Sequence, residues 1–155
     1  MRGKTLEQLI EVALETVDEL FPWDLEELMN DEKDMLLLDV REHTGFDAMK
    51  IKNSINVPRG VLESACEYNY DQTVPELVEA RNRSVVVICR SGKRSALAAQ
   101  TMQWMGYENV VSLKLGVKGW NDSDLPLFDQ TGKQVDGDEA AELLEPPLRP
   151  EQIKP

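Results

Sequence analysis

The chain carries only two cysteines, Cys66 and Cys89, a single histidine, His43, and no apolar run near the roughly 20 residues that cross a bilayer. Two cysteines are too few for a disulfide scaffold and suit a reducing compartment in which a thiol stays free. No metal-ligand cluster is spaced along the sequence, so no metal is expected. Positive charge is also scarce: 17 Lys and Arg stand against 29 Asp and Glu, a net charge of −12. That balance argues against nucleic-acid binding, which needs a basic face, and most of the acidic surplus serves solubility. Met1-Arg2-Gly3-Lys4 is followed by Glu7, Glu11 and Glu15 rather than by an apolar core, so no secretory signal is read there. A cytoplasmic location and no membrane partner are the expectation.

What is present fits one globular domain with extensions, in 155 residues of which 41% are hydrophobic and 30% charged. Residues 36–39, 54–57, 84–89 and 109–113 read as buried strands. They alternate with helical patterns over residues 46–50, 60–80 and 95–105. Such alternation predicts an α/β fold, a small central parallel sheet with helices on both faces. Ligands of these sheets bind beyond the carboxyl ends of the strands, where Asp39 and Cys89 both sit, so the two are expected to converge on one site.

Cys89 ends the apolar run Val85-Val86-Val87-Ile88, and Arg90-Ser91-Gly92-Lys93-Arg94-Ser95 leads from it into the helical Ala96-Leu97-Ala98-Ala99-Gln100. A chain that leaves a strand, turns tightly and enters a helix aims successive N–H groups into one concavity at the positive end of the helix dipole. Thiols at helix N-termini beside Lys or Arg ionise readily, which makes Cys89 the candidate nucleophile. Arg90, Lys93 and Arg94 supply cations that focus a small anion, and Gly92 permits a backbone angle that a side chain resists. The competing reading is a structural cysteine at a strand end. Three clustered cations are of no use to a core cysteine, and they favour function.

The segment Cys89-Arg90-Ser91-Gly92-Lys93-Arg94 resembles the six-residue active loop of the rhodanese family of sulfurtransferases. Leu36-Leu37-Leu38-Asp39-Val40-Arg41-Glu42 resembles its early strand and Asp-Val-Arg signature, and Ile51 through Ile55-Asn56-Val57-Pro58 its next segment. Val110-Val111-Ser112-Leu113, Gly116, Trp120 and Leu125-Pro126 are similar to its last strand, glycine, tryptophan helix and closing Leu-Pro. The likeness runs from Trp23 to Leu127. It implies a rhodanese-like fold, with Cys89 as catalytic residue and Arg90, Ser91, Gly92, Lys93, Arg94 and Ser95 binding substrate and persulfide. Asp39 and Arg41 are read on spacing either as a strand-ending turn with solvated charges or as supports, the carboxylate accepting from backbone donors near the loop. The resemblance favours support. Three positions depart from the family: Met49-Lys50 replaces Gly-His, Asn53-Ser54 replaces Gly-Ala, and Leu115 replaces the first of two glycines. None touches the nucleophile, and all bear on the approach to the site.

Three regions follow: an N-terminal helical extension (1–22), a rhodanese-like domain (23–127), and a C-terminal hairpin with an acidic, proline-rich tail (128–155). Thr5 and Gln8 form a capping-box pattern, and Leu6, Leu9, Ile10, Ala13, Val17 and Leu20 recur on one helical face until Phe21-Pro22 stops it. That face covers the domain's own surface, a second copy or a partner. Residues 127–135 suggest a small hairpin, and the chain from Asp136 a mobile tail with a short helix at 139–144. Cys66 reads as structural, or as a resolving thiol if it lies beside Cys89. His43 has no spacing that pairs it with Cys89.

The expected chemistry is sulfane-sulfur transfer without a cofactor, from a small sulfur-containing anion such as thiosulfate to a thiol or cyanide acceptor, or to a sulfur-carrier protein. Two alternatives remain at this stage. A cysteine phosphatase or arsenate reductase uses the same cradle but needs five residues between Cys and Arg, whereas four separate Cys89 from Arg94. A docking module that does no chemistry is the other.

Overall fold

The expected strands all form, and a further one joins them. In a computed structural model that describes residues 2–31 and 34–155, the chain runs α1 (Leu6–Leu14), β1 (Asp18–Leu20), α2 (Pro22–Asp31), β2 (Leu36–Asp39), α3 (His43–Ala48) and β3 (Ile55–Asn56). It continues through α4 (Leu62–Ala65), α5 (Pro75–Val78), β4 (Ser84–Ile88), α6 (Lys93–Trp104), β5 (Asn109–Leu113), α7 (Gly116–Asp122) and α8 (Gly137–Leu144). The five strands make one parallel sheet in the order β1-β5-β4-β2-β3.

Strand alternation divides the core into two layers. Leu36, Leu38, Val85, Val87 and Cys89 face a cluster that includes Ala98, Ala99 and Met102 of α6. Leu37, Val86 and Ile88 face the opposite cluster with Leu25, Trp120 and Leu144. Strands buried on both faces need the near-continuous apolar runs seen in β2 and β4. Cys89 therefore approaches the α6 layer, while Asp39, in register with Ile88, belongs by alternation to the other.

Both chain ends differ from expectation. The capping box holds, with Gln8 N donating to Thr5 Oγ1 at 3.2 Å and Thr5 N to Gln8 Oε1 at 2.8 Å. The helix nevertheless ends at Leu14, and Asp18–Leu20 becomes an edge strand on β5. Helical spacing of Val17 and Leu20 misleads here because β5 offers a row of backbone partners that a longer helix would leave unpaired. At the other end the hairpin forms around Phe128, which bridges Lys50 and Gln134. The tail is docked rather than loose: α8 buries Ala140 and Leu144 against the layer that contains Trp120.

Two family departures keep a glycine-like backbone. Asn53 and Leu115 both hold φ near +68°. Asparagine tolerates that region, but a leucine there is strained by about 1–2 kcal/mol. Leu115→Gly is accordingly expected to stabilise the fold by about 1 kcal/mol, raising Tm by roughly 2–4 °C. A calorimetric scan showing a lower Tm would contradict this.

Candidate active site

The Cys89 sulfur occupies the place of a helix cap. Gly92, with φ +91°, is the residue before α6, and no side chain caps that helix. The unpaired amides of its first turn turn instead to sulfur: Gly92 N donates to Cys89 Sγ at 3.1 Å and Ser95 N at 3.3 Å. Ser95 Oγ lies 3.3 Å from Sγ and 2.7 Å from Ser112 Oγ. Ser112 is a supporting residue that the sequence reading passed over. The signal was available: a hydroxyl inside an otherwise apolar buried strand must find a partner.

The loop rests on the start of α7. Val117 N and Lys118 N donate to Cys89 O and Arg90 O, each at 2.9 Å. This close approach needs Gly116, where an added Cβ would fall 2.4 Å from Cys89 O. Cys89 itself is 1% exposed. Only a small reactant, or a sulfur atom carried on Sγ, fits within the ring.

The loop cations separate. Lys93 Nζ reaches across to Glu7 Oε1 of α1 at 2.8 Å, a half-exposed pair worth little stability. Arg90 and Arg94 are exposed and have no ion pair among the described residues. Both line a cavity of about 370 Å³ beside the loop. Ser91 lines a separate, smaller groove of about 170 Å³ with Leu115 and Lys118.

Asp39 and Arg41 form a buried ion pair. Arg41 Nη2 donates to Asp39 Oδ2 at 2.8 Å, and Arg41 N and Nε donate to Asp39 Oδ1 at 3.0 and 3.1 Å. Arg41 Nη2 also donates to Met49 O at 2.6 Å. The expected contact of Asp39 with backbone donors of the active loop is thus replaced by one with its own turn. The carboxylate lies on the sheet face opposite Cys89, so the two strand ends adjoin without their side chains converging. Arg41, however, reaches the cavity wall shared with Arg90 and Arg94. His43 Nδ1 is engaged with Asn56 Oδ1 at 2.5 Å, and Asn56 Nδ2 donates to Asp39 O and Arg41 O. His43 serves this turn.

Cys66 is fully buried and is a free thiol, not part of a disulfide. Burial pushes its thiol up from the ordinary 9.0, opposed by a hydrogen bond with Tyr107 and by the Arg81 charge. Burial, then Cys66, pushes the Tyr107 hydroxyl up as well. That hydroxyl donates to Leu77 O at 2.5 Å. Both groups stay protonated in the folded chain where the unfolded chain ionises. Their stabilisation is complete below about pH 9 and is lost as pH rises, because the unfolded state then binds fewer protons. Denaturant titrations between about pH 8 and pH 10.5 are expected to show falling stability, with a flatter slope in Tyr107→Phe. A pH-independent midpoint would count against the buried pair.

An open parallel sheet whose central strand ends in a cysteine, held by backbone amides at a helix N-terminus, defines a class of α/β domains built around a loop cysteine. Within it, the chain belongs to the rhodanese-like family, whose domain model matches residues 22–123. The chain is 29% identical over 92 residues to the candidate sulfur carrier protein YrkF of Bacillus subtilis, covering 59% of this chain and 44% of YrkF. It spans less than two thirds of the length of the curated relatives it matches. Among solved structures, a Rhodopseudomonas palustris protein of unknown function, described as a possible tyrosine phosphatase, superposes with TM-score 0.74 at 27% identity. That likeness covers 82% of this chain and 96% of the other. The polysulfide-sulfur transferase homodimer of Wolinella succinogenes gives TM-score 0.61 at 27% identity, over 77% of this chain and 84% of that one. Among the described residues, no helix is long and apolar enough to cross a membrane.

Proposed function

We propose that the protein is a sulfurtransferase that carries sulfane sulfur on Cys89. The observation that carries this reading is the pair of amides, Gly92 N and Ser95 N, aimed at Cys89 Sγ. Donors placed there hold negative charge on sulfur as an oxyanion hole holds it on oxygen. The Cys89 thiolate attacks the outer sulfur of a donor such as thiosulfate. The new S–S bond forms on Sγ, the old one breaks, and its electron pair leaves with sulfite. An acceptor thiolate or cyanide then takes the outer sulfur and returns the thiolate to Cys89. Arg90 and Arg94 steer the anions, and Asp39 and Arg41 hold the turn beside them. No cofactor enters either step. Relatives named as sulfur carrier and sulfur transferase support the assignment and suggest a carrier protein as one acceptor.

The test is to incubate the reduced protein with thiosulfate, alkylate it and map the peptides by mass spectrometry. One added sulfur on Cys89, with sulfite released and Cys66 unlabelled, is the expected outcome. An unmodified Cys89 with thiosulfate and with persulfide donors would sink the reading.

The phosphatase reading draws on the Rhodopseudomonas palustris likeness. The ring argues against it: four residues separate Cys89 from Arg94, and two amides already converge on sulfur within 3.3 Å. A tetrahedral oxyanion needs a wider loop. Phosphate release from p-nitrophenyl phosphate is expected to be absent.

A further inference from the structure

Helix α1 lies outside the residues 22–123 that match the family, yet it delivers a carboxylate to the active loop. It runs beside α6 in the same direction and is pinned at both ends. Just beyond its last turn Gln103 Nε2 donates to Thr16 O at 2.8 Å, and in its first turn Glu7 Oε1 pairs with Lys93 Nζ at 2.8 Å. Ile10 and Ala13 bury the face between. Lys93 is the first residue of α6 and lies in the chain between Gly92 and Ser95, whose amides hold Cys89 Sγ. We propose that Glu7 sets the donor preference of the loop, its charge disfavouring dianionic sulfur donors relative to monoanionic ones. The inference rests on the sulfur-transfer reading and names a residue that tunes it.

Stability does not account for the pair, because exposed ion pairs contribute little. Its effect falls on the loop instead. Of the cations Arg90, Lys93 and Arg94, the two arginines have no ion pair among the described residues, and Glu7 neutralises the third. The same carboxylate sets negative charge beside the positive end of α6, which favours anions. A chain with net charge −12 repels an anion at long range, so attraction depends on this local focus. Removing one positive unit from the focus costs a dianion about twice what it costs a monoanion.

Thiosulfate and methanethiosulfonate are donors of similar size that differ in charge, the first a dianion and the second a monoanion. With either, the Cys89 thiolate bonds to the outer sulfur. The S–S bond of the donor breaks, and its electron pair leaves with sulfite or with methanesulfinate. The same Cys89 persulfide forms, so the ratio of the two kcat/KM values reads donor charge and cancels changes in the nucleophile.

The test measures that ratio in the full chain with cyanide as acceptor. At about 0.01 M ionic strength, Glu7→Gln is expected to raise the thiosulfate-to-methanethiosulfonate ratio about threefold over the parent. Glu7→Lys, a larger change of charge at the same exposed position, is expected to raise it further. At about 1 M, where the screening length falls to about 3 Å, both ratios are expected to return to the parental value. An unchanged or lower ratio in either variant at low ionic strength would overturn the inference while sulfur transfer itself stands. A rise that persists at high ionic strength would trace to loop shape rather than charge, and would overturn it equally. Failure of both donors to place sulfur on Cys89 of the parent would overturn the sulfur-transfer reading, and this inference with it.

Discussion

Replacing Cys89 by serine is expected to reduce sulfite release from thiosulfate by at least about three orders of magnitude while leaving the fold within about 1 kcal/mol of the parent. The two halves of this expectation have separate physical causes. A serine oxygen still accepts from Gly92 N and Ser95 N, so the start of α6 keeps its partner. The hydroxyl, however, is a far poorer nucleophile towards sulfur without a paired base. Among the described residues the hydrogen-bond partners of Sγ are Gly92 N, Ser95 N and Ser95 Oγ, none of them a base, and His43 is engaged with Asn56. Steady-state sulfite assays and thermal melts on the same preparation check both halves. Retained turnover with sulfur appearing on Cys66 would move the nucleophile to the wrong cysteine and defeat the assignment.

Gly116→Ala is expected to destabilise the protein by about 3 kcal/mol or more and to slow transfer by at least about tenfold, without touching a reacting atom. Its added carbon would fall 2.4 Å from Cys89 O and 2.5 Å from the carbonyl carbon and oxygen of Arg90. These are backbone atoms, and no rotamer change relieves the overlap. Gly116 also holds φ +60°, which adds strain for any side chain. The loop and α7 must separate, weakening the hydrogen bonds from Val117 and Lys118 that hold the loop in place. The amides aimed at Sγ move with it, and small misplacements in such sites are costly. Urea denaturation and the sulfite assay are the measurements. A variant with parental midpoint and rate would show that the loop does not depend on this contact.

Much of this site was legible because it is local in sequence. Strand, loop and helix follow one another from Val85 to Gln100, so the cradle around Cys89 is a consequence of neighbours along the chain. The five-stranded sheet was only partly legible. Four strands announce themselves as apolar runs, whereas β1 is Asp18-Glu19-Leu20, with one apolar residue, and exists because β5 captures it. Asp39 shows a different limit. Its place at a strand end follows from sequence, but the direction of its side chain depends on the parity of residues along β2. Arg41, two residues on, was then the nearest donor. The apolar walls of the cavity were least visible, since Met49 and Leu143 are distant in sequence and meet only when α8 docks.

The edge position of β1 also constrains the order in which the chain can assemble. Its neighbour in the sheet is β5, the last of these five strands in chain order, so during synthesis the first strand must wait until Leu113 has left the ribosome. Pairing between segments so far apart carries a loop-closure cost that local helices do not. The nascent chain therefore holds residues 18–20 unpaired until β5 has been made, and Asp18 and Glu19 are charges that discourage that waiting edge from joining another chain.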